Sequence, residues 1–146
     1  MEFPVRIPFV EALGFELLRF DADGSEIAVE VRDESCNSWG VAHGGLTMTL
    51  LDVVMAHAAR SGAATAEQPS SSGMVTIEMK TSFMRPGLGR LVAKGRLLHR
   101  TASMAFCEAS VFNADDQLVA HATGTFKILK GLPVGDRRIQ RADASD

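Results

Sequence analysis

The sequence predicts an α+β fold in which a curved antiparallel sheet wraps one long central helix. Three observations carry this. Residues 45–59 are apolar on nearly every side, six further segments read as strands, and the elements run helix, two strands, long helix, four strands rather than alternating. A single helix so apolar can be buried on most sides only if a curved antiparallel sheet wraps it, or if a second subunit covers what the sheet leaves. The segregated order excludes a βαβ dinucleotide fold, and the sheet edges it leaves favour pairing across a twofold axis as a dimer.

Each element has a local cause. Residues 8–13 carry proline at the start and Gly14 at the end, the punctuation of a short helix. Apolar side chains alternate over 15–21 and 26–32, most clearly at Ile27, Val29 and Val31, and Asp21-Ala22-Asp23-Gly24 between them reads as a hairpin turn. Periodicity vanishes over 33–43. The long helix follows, interrupted mainly by Thr47, Thr49, Asp52 and His57. Residues 63–73, rich in Ala, Ser, Gly and Pro, read as a loop. The period then becomes two, with Val75, Ile77, Met79, Thr81 and Phe83 on one face and Thr76, Glu78, Lys80 and Ser82 on the other. Strands over 90–100, 104–112 and 118–129 complete the order.

With 146 residues the chain has room for one domain, placed at residues 1–132, and the polar stretch 133–146 reads as a disordered tail. The 15 Lys and Arg against 18 Asp and Glu give a net charge of −3, which argues against nucleic acid or an anionic membrane as partner. The longest uncharged stretch, 35–51, holds Asn37, Ser38, His43 and three glycines and cannot span a bilayer. The N-terminus lacks the pattern of a secretory signal, and Cys36 and Cys107 form no CxxC motif. A soluble, cytoplasmic protein with free thiols is expected. The four histidines have no metal-ligand spacing, and no metal is expected.

The informative stretch is Asn37-Ser38-Trp39-Gly40-Val41-Ala42-His43-Gly44-Gly45, with Asp52 seven residues further on. It brings polar groups to the start of a buried helix, where unpaired backbone N–H groups and a partial positive charge suit a developing oxyanion. Gly44 and Gly45 let a ligand approach the backbone. Asp52 is the only carboxylate of the helix and must be paired, neutral or facing a wet site. Each residue also has a structural reading. The glycines can serve packing, His43 can be a satisfied histidine, and Asp52 can bind across an interface.

The run Asn-x5-His-Gly-Gly-x6-Asp on the long helix resembles the hotdog-fold acyl-CoA thioesterases of the phenylacetyl-CoA and thioesterase-superfamily-member type. The resemblance covers residues 5–129. It implies hydrolysis of an acyl-CoA to a free acid and coenzyme A in a homodimer or tetramer, with no cofactor beyond the coenzyme in the substrate. It implies that the Gly44 amide holds the thioester carbonyl, that Asn37 and His43 shape and polarise the site, and that Asp52 acts as base or nucleophile across the dimer interface. The strand hydroxyl of the family corresponds to Thr76, threonine standing where some members have serine. Two rivals share the substrate: an acyl-CoA hydratase or dehydratase, and a non-enzymatic acyl-CoA-binding module.

From Lys80 to Arg100 six cations occur without an acid. Arg85 and Arg100, at strand ends, are the expected binders of the coenzyme phosphates. Trp39, Met48, Met55, Phe83 and Met84 are the expected lining of an apolar acyl pocket.

Overall fold

A computed structural model describes residues 1–61, 73–132, 134, 135 and 137–140. Helix α1 (Pro8–Leu13) leads into the hairpin β1 (Glu16–Asp21) and β2 (Gly24–Glu30), and a 3-10 turn over Asp33–Ser35 precedes helix α2 (Gly44–Ser61). Strands β3 (Gly73–Phe83), β4 (Arg90–Arg100), β5 (Met104–Phe112) and β6 (Leu118–Leu129) follow. All six strands form one antiparallel sheet in the order β1-β2-β4-β5-β6-β3, with α2 against its concave face. This is the hotdog arrangement that the sequence predicts. The loop read at 63–73 falls, apart from Gly73, outside the described residues.

Two glycines in the sheet seat the helix. A Cβ at Gly95 on β4 would come within 2.8 Å of the Val54 carbonyl oxygen, so only glycine lets β4 approach the helix backbone there. The same carbonyl accepts a 2.7 Å bond from the buried Ser25 hydroxyl. On β6, the space a side chain at Gly124 would need is filled by Met55. Leu50, Leu51, Val54, Met55, Ala58 and Ala59 are consequently withdrawn from water altogether. Burial of this kind stabilises a leucine-sized side chain by about 1.5–3 kcal/mol.

The helix is not covered all round. Gly45 and Met48 are exposed, and Thr49, Asp52, Val53, Ala56 and Arg60 are half-buried, which leaves one open stripe along α2. Beside it lies β3, an edge strand with Ile77, Phe83 and several polar side chains exposed.

The alternation expected for β3 breaks at one place. Thr76 pairs with Phe126 and Glu78 with Thr125, so Ile77 is an extra residue in a β-bulge. From Met79 onward the odd positions face the helix, as their pairing with Gly124, Ala122 and Ala120 requires. Before the bulge it is Met74 and Thr76 that do so, opposite Ile128 and Phe126. Thr76 therefore lies on the face opposite to the one strict alternation assigns.

The chain after Leu132 returns to the domain over residues 137–140. The Arg137 N–H donates to the Val134 carbonyl, and the Arg6 N–H donates 2.8 Å to the Gln140 carbonyl. Residues 133, 136 and 141–146 of the stretch read as a tail lie outside the described residues.

Candidate active site

The residues before α2 build a tight loop whose pin is Asn37. Its Oδ1 accepts from the Trp39 N–H at 2.9 Å and the Val41 N–H at 3.4 Å, while its own N–H donates to the Val41 carbonyl at 2.8 Å. The Ala42 N–H then donates to the Gly87 carbonyl, tying this loop to the turn that follows β3. Asn37 thus shapes the entry to the helix through the backbone.

At the helix start the His43 carbonyl accepts from Leu46 and Thr47, and its ring Nδ1 accepts from the Gly45 N–H at 2.8 Å. His43 is the N-cap. With that nitrogen accepting, the ring proton of the neutral imidazole sits on Nε2. The two neighbouring amides are now distinguished: Gly45 is satisfied by the cap, whereas the Gly44 N–H has no acceptor among the described residues. It borders a groove of about 590 Å³ lined by Trp39, Val41, Phe83, Met84, Arg85 and Val119, among others. A Cβ at Gly44 would stand 3.5 Å from the Phe83 ring, in ordinary contact with that wall of the groove. Trp39, Phe83 and Met84, read from the sequence as lining for an acyl pocket, all border this groove. Met55 does not, being sealed in the core over Gly124, because an all-apolar helix hides which side the sheet covers.

Further along the open stripe, Asp52 Oδ1 accepts a 2.6 Å hydrogen bond from Thr76 Oγ1. The bulge at Ile77 is what turns this hydroxyl toward the helix. Asp52 makes no ion pair among the described residues. Its second oxygen has no hydrogen-bond partner among the described residues. Thr49, between Gly45 and Asp52, turns its hydroxyl back to the Gly45 carbonyl at 2.7 Å.

Gly44 and Asp52 are eight residues apart, a rise of ~12 Å along the helix axis. A carbonyl group cannot touch both within one chain. His57 takes no part: buried under the edges of Phe3 and Phe20, it donates from Nδ1 to the Val53 carbonyl, and burial pushes its pKa down to about 4.

The run of cations between Lys80 and Arg100 is largely neutralised across the sheet. Arg90 meets Glu16 and Glu30, Lys94 meets Glu26, and Arg96 meets Glu108. Arg85 and Arg100 have no acidic partner among the described residues, but each donates Nη1 to a backbone carbonyl, Leu118 at 2.7 Å and Ala59 at 3.1 Å. They stand at opposite ends of α2: Arg85 borders the Gly44 groove, and Arg100 caps the last turn. The two cannot form one phosphate clamp within a chain. Sequence reasoning missed Arg60, whose position in the last turn looks like an ordinary partner of the helix dipole. Among the described residues no cluster of three or more His, Cys, Asp or Glu could hold a metal, and no helix is long and apolar enough to cross a membrane.

The family model described as thioesterase superfamily matches residues 40–120, more than half of the chain. The medium/long-chain acyl-CoA thioesterase YigI of Escherichia coli K12 is 27% identical over 137 residues, covering 86% of this chain and 88% of that protein. Among solved structures, the conserved protein PA5202 of Pseudomonas aeruginosa superposes with a TM-score of 0.78 at 28% identity, over 86% of this chain and 97% of that one. The PaaI protein of the E. coli phenylacetic acid degradation operon shares the fold, with a TM-score of 0.74 at 21% identity over 84% of each chain.

Proposed function

The chain belongs to the thioesterase superfamily, and on that premise we propose that it hydrolyses acyl-CoA thioesters to a free carboxylic acid and coenzyme A. The observation that carries this reading is the Asp52–Thr76 pair on the open stripe of α2, a carboxylate oriented by a hydroxyl and unmatched by any cation among the described residues. Thr76 holds Oδ1, and the other oxygen takes a proton from water or attacks the carbonyl carbon itself. Both routes use the same residues. The carbonyl oxygen accepts from the Gly44 amide at the positive end of the helix, where charge developing in the tetrahedral intermediate is stabilised. The C–S bond then breaks. On the water route coenzyme A leaves as the thiol with the proton taken from water. On the direct route it leaves as the thiolate from an Asp52 mixed anhydride, which water then hydrolyses to the free acid and the Asp52 carboxylate, the released proton going to the thiolate.

Because ~12 Å separates Gly44 from Asp52 along the helix, the reading requires two copies of the chain, one giving the amide and the other the carboxylate. The open stripe of α2 and the free edge of β3 are the surfaces that would meet in a dimer or in a dimer of dimers. The acyl group lies in the apolar groove beside Gly44. Arg100 adds positive charge toward the coenzyme from the last turn of the helix, through the guanidinium nitrogens that its backbone bond leaves over, whereas Arg85, expected as a phosphate binder, borders the acyl groove in this reading. In the same reading the protein works in the reducing cytoplasm with Cys36 and Cys107 as free thiols, and it needs no cofactor beyond the coenzyme of its substrate. A hydratase would call for an acid–histidine pair, whereas His43 is committed to capping and the partner of Asp52 is a threonine.

The test is thiol release from a panel of fatty and aryl acyl-CoAs by the parent and by Asp52→Asn. A general base contributes at least ~10²-fold, so kcat should fall by that factor while acyl-CoA still protects the folded variant from heat. Hydrolysis at the parental rate would remove Asp52 from the mechanism.

A further inference from the structure

One turn beyond Asp52 the open stripe of α2 runs into a second pocket, of about 420 Å³, that the reaction so far described does not use. Ala56 from the helix and Met74 from β3 form its near wall, and Met74 shares the helix-facing side of the strand with Thr76. Its far side is a strap of residues 138–140. The strap is fixed by two bonds from Arg6 to Gln140, backbone to backbone and Nη1 to Oε1, each 2.8 Å, and by Ile139, which occupies the space a side chain at Gly73 would take.

The charges in this wall are one-sided. Arg6, Arg60 and Arg138 line the pocket, and among the described residues no Asp or Glu does. Arg6 has Glu11 at 3.8 Å. Arg60 and Arg138 have no acid within ion-pair distance among the described residues. Arg60 is half-buried, and loss of hydration holds its pKa below the ordinary arginine range. A guanidinium withdrawn from water without a counter-ion is unfavourable, and a bound anion is what would compensate it.

We propose that this pocket seats the phosphates of coenzyme A, with Arg60 and Arg138 as the binding cations. The assignment rests on the acyl-CoA reading and divides the substrate between two grooves. The carbonyl sits at Asp52, the acyl group enters the apolar groove beside the Gly44 of the second copy, and the pantetheine arm runs along the stripe past Ala56 and Met74. From Asp52 to Arg60 the helix rises ~12 Å, a distance the extended arm between sulfur and diphosphate can bridge. Two guanidinium groups match the charge of a diphosphate and can grip its oxygens in forked pairs. Arg100 stands at this same end of α2, adding to the positive field.

Calorimetric titration of the full-length protein with free coenzyme A and, separately, with pantetheine tests the assignment. The parent should bind coenzyme A more tightly than pantetheine. Arg60→Gln with Arg138→Gln should weaken coenzyme A binding about tenfold or more while pantetheine affinity stays within twofold, since only phosphate contacts are lost. Should the double variant misfold, Arg138→Gln alone, on the exposed strap, should still weaken coenzyme A several-fold. Equal affinity of the parent for the two ligands, or unchanged coenzyme A binding in the variants, would overturn the proposal. So would a variant that binds coenzyme A normally but loses a preference for acyl groups ending in a carboxylate, because the pocket would then belong to the acyl end. A parent that binds coenzyme A through these arginines yet releases no thiol from any acyl-CoA would instead overturn the hydrolase reading and leave the pocket standing.

Discussion

His43 Nδ1 accepts the Gly45 N–H at 2.8 Å, and this single bond decides which of two adjacent glycine amides remains open to a ligand. A helix start exposes several unpaired donors of similar character. The imidazole removes one of them, and the Gly44 amide is left facing the groove lined by Trp39, Phe83 and Met84.

The cap has a measurable stability. His43→Ala should destabilise the protein by about 1 kcal/mol, the usual cost of losing an N-cap side chain, and His43→Asn should recover most of it because asparagine is among the strongest caps. Urea unfolding of the three proteins checks this. Equal stability of the alanine and asparagine variants would mean that the His43 side chain does not cap α2.

The hydroxyl of Thr76 holds the Asp52 carboxylate in place. Removing it in Thr76→Val, which keeps the side-chain shape, should lower kcat about 10-fold or more, since a hydrogen bond to a charged group contributes about 1.5–3 kcal/mol. Thr76→Ser should restore most of the rate. A valine variant as fast as the parent would reduce Thr76 to a strand residue.

His57 gives stability a pH dependence of defined sign. Burial lowers its pKa from 6.5 to about 4, so between those values the unfolded chain binds a proton that the folded chain does not. Stability should be fully present above pH 6.5 and fall progressively as the pH drops toward 4, by up to about 3 kcal/mol from this residue. Denaturant midpoints of the parent and of His57→Gln across that range test it. The variant should lose this part of the slope, and parallel curves would contradict it.

How much of this was legible in the sequence follows from what each residue depends on. The long helix and the strands show in local periodicity, and the helix start shows in its polar residues and paired glycines. The bulge at Ile77 does not show, because no glycine or proline marks it, and alternation carried through it turns Thr76 away from Asp52. The pairing of Arg90, Lys94 and Arg96 with acids depends on register between strands distant in sequence, so a run of free cations in the chain becomes a largely neutral face in the sheet. Met48 and Met55 could not be told apart until the sheet showed which side of α2 it covers.

The most direct test of the shared site mixes two inactive variants. Gly44→Pro removes the amide donor while placing proline at the first helical position, where it is well tolerated, and Asp52→Asn removes the base. Each variant alone should be slower than the parent by at least ~10²-fold. Unfolded and refolded together in equal amounts, they should regain about a quarter of the parental activity, because half of the dimers are mixed and each mixed dimer has one site with an intact Gly44 from one chain and Asp52 from the other. If mixed dimers form and no activity returns, the amide and the carboxylate do not meet across two copies, and the account of the site is wrong.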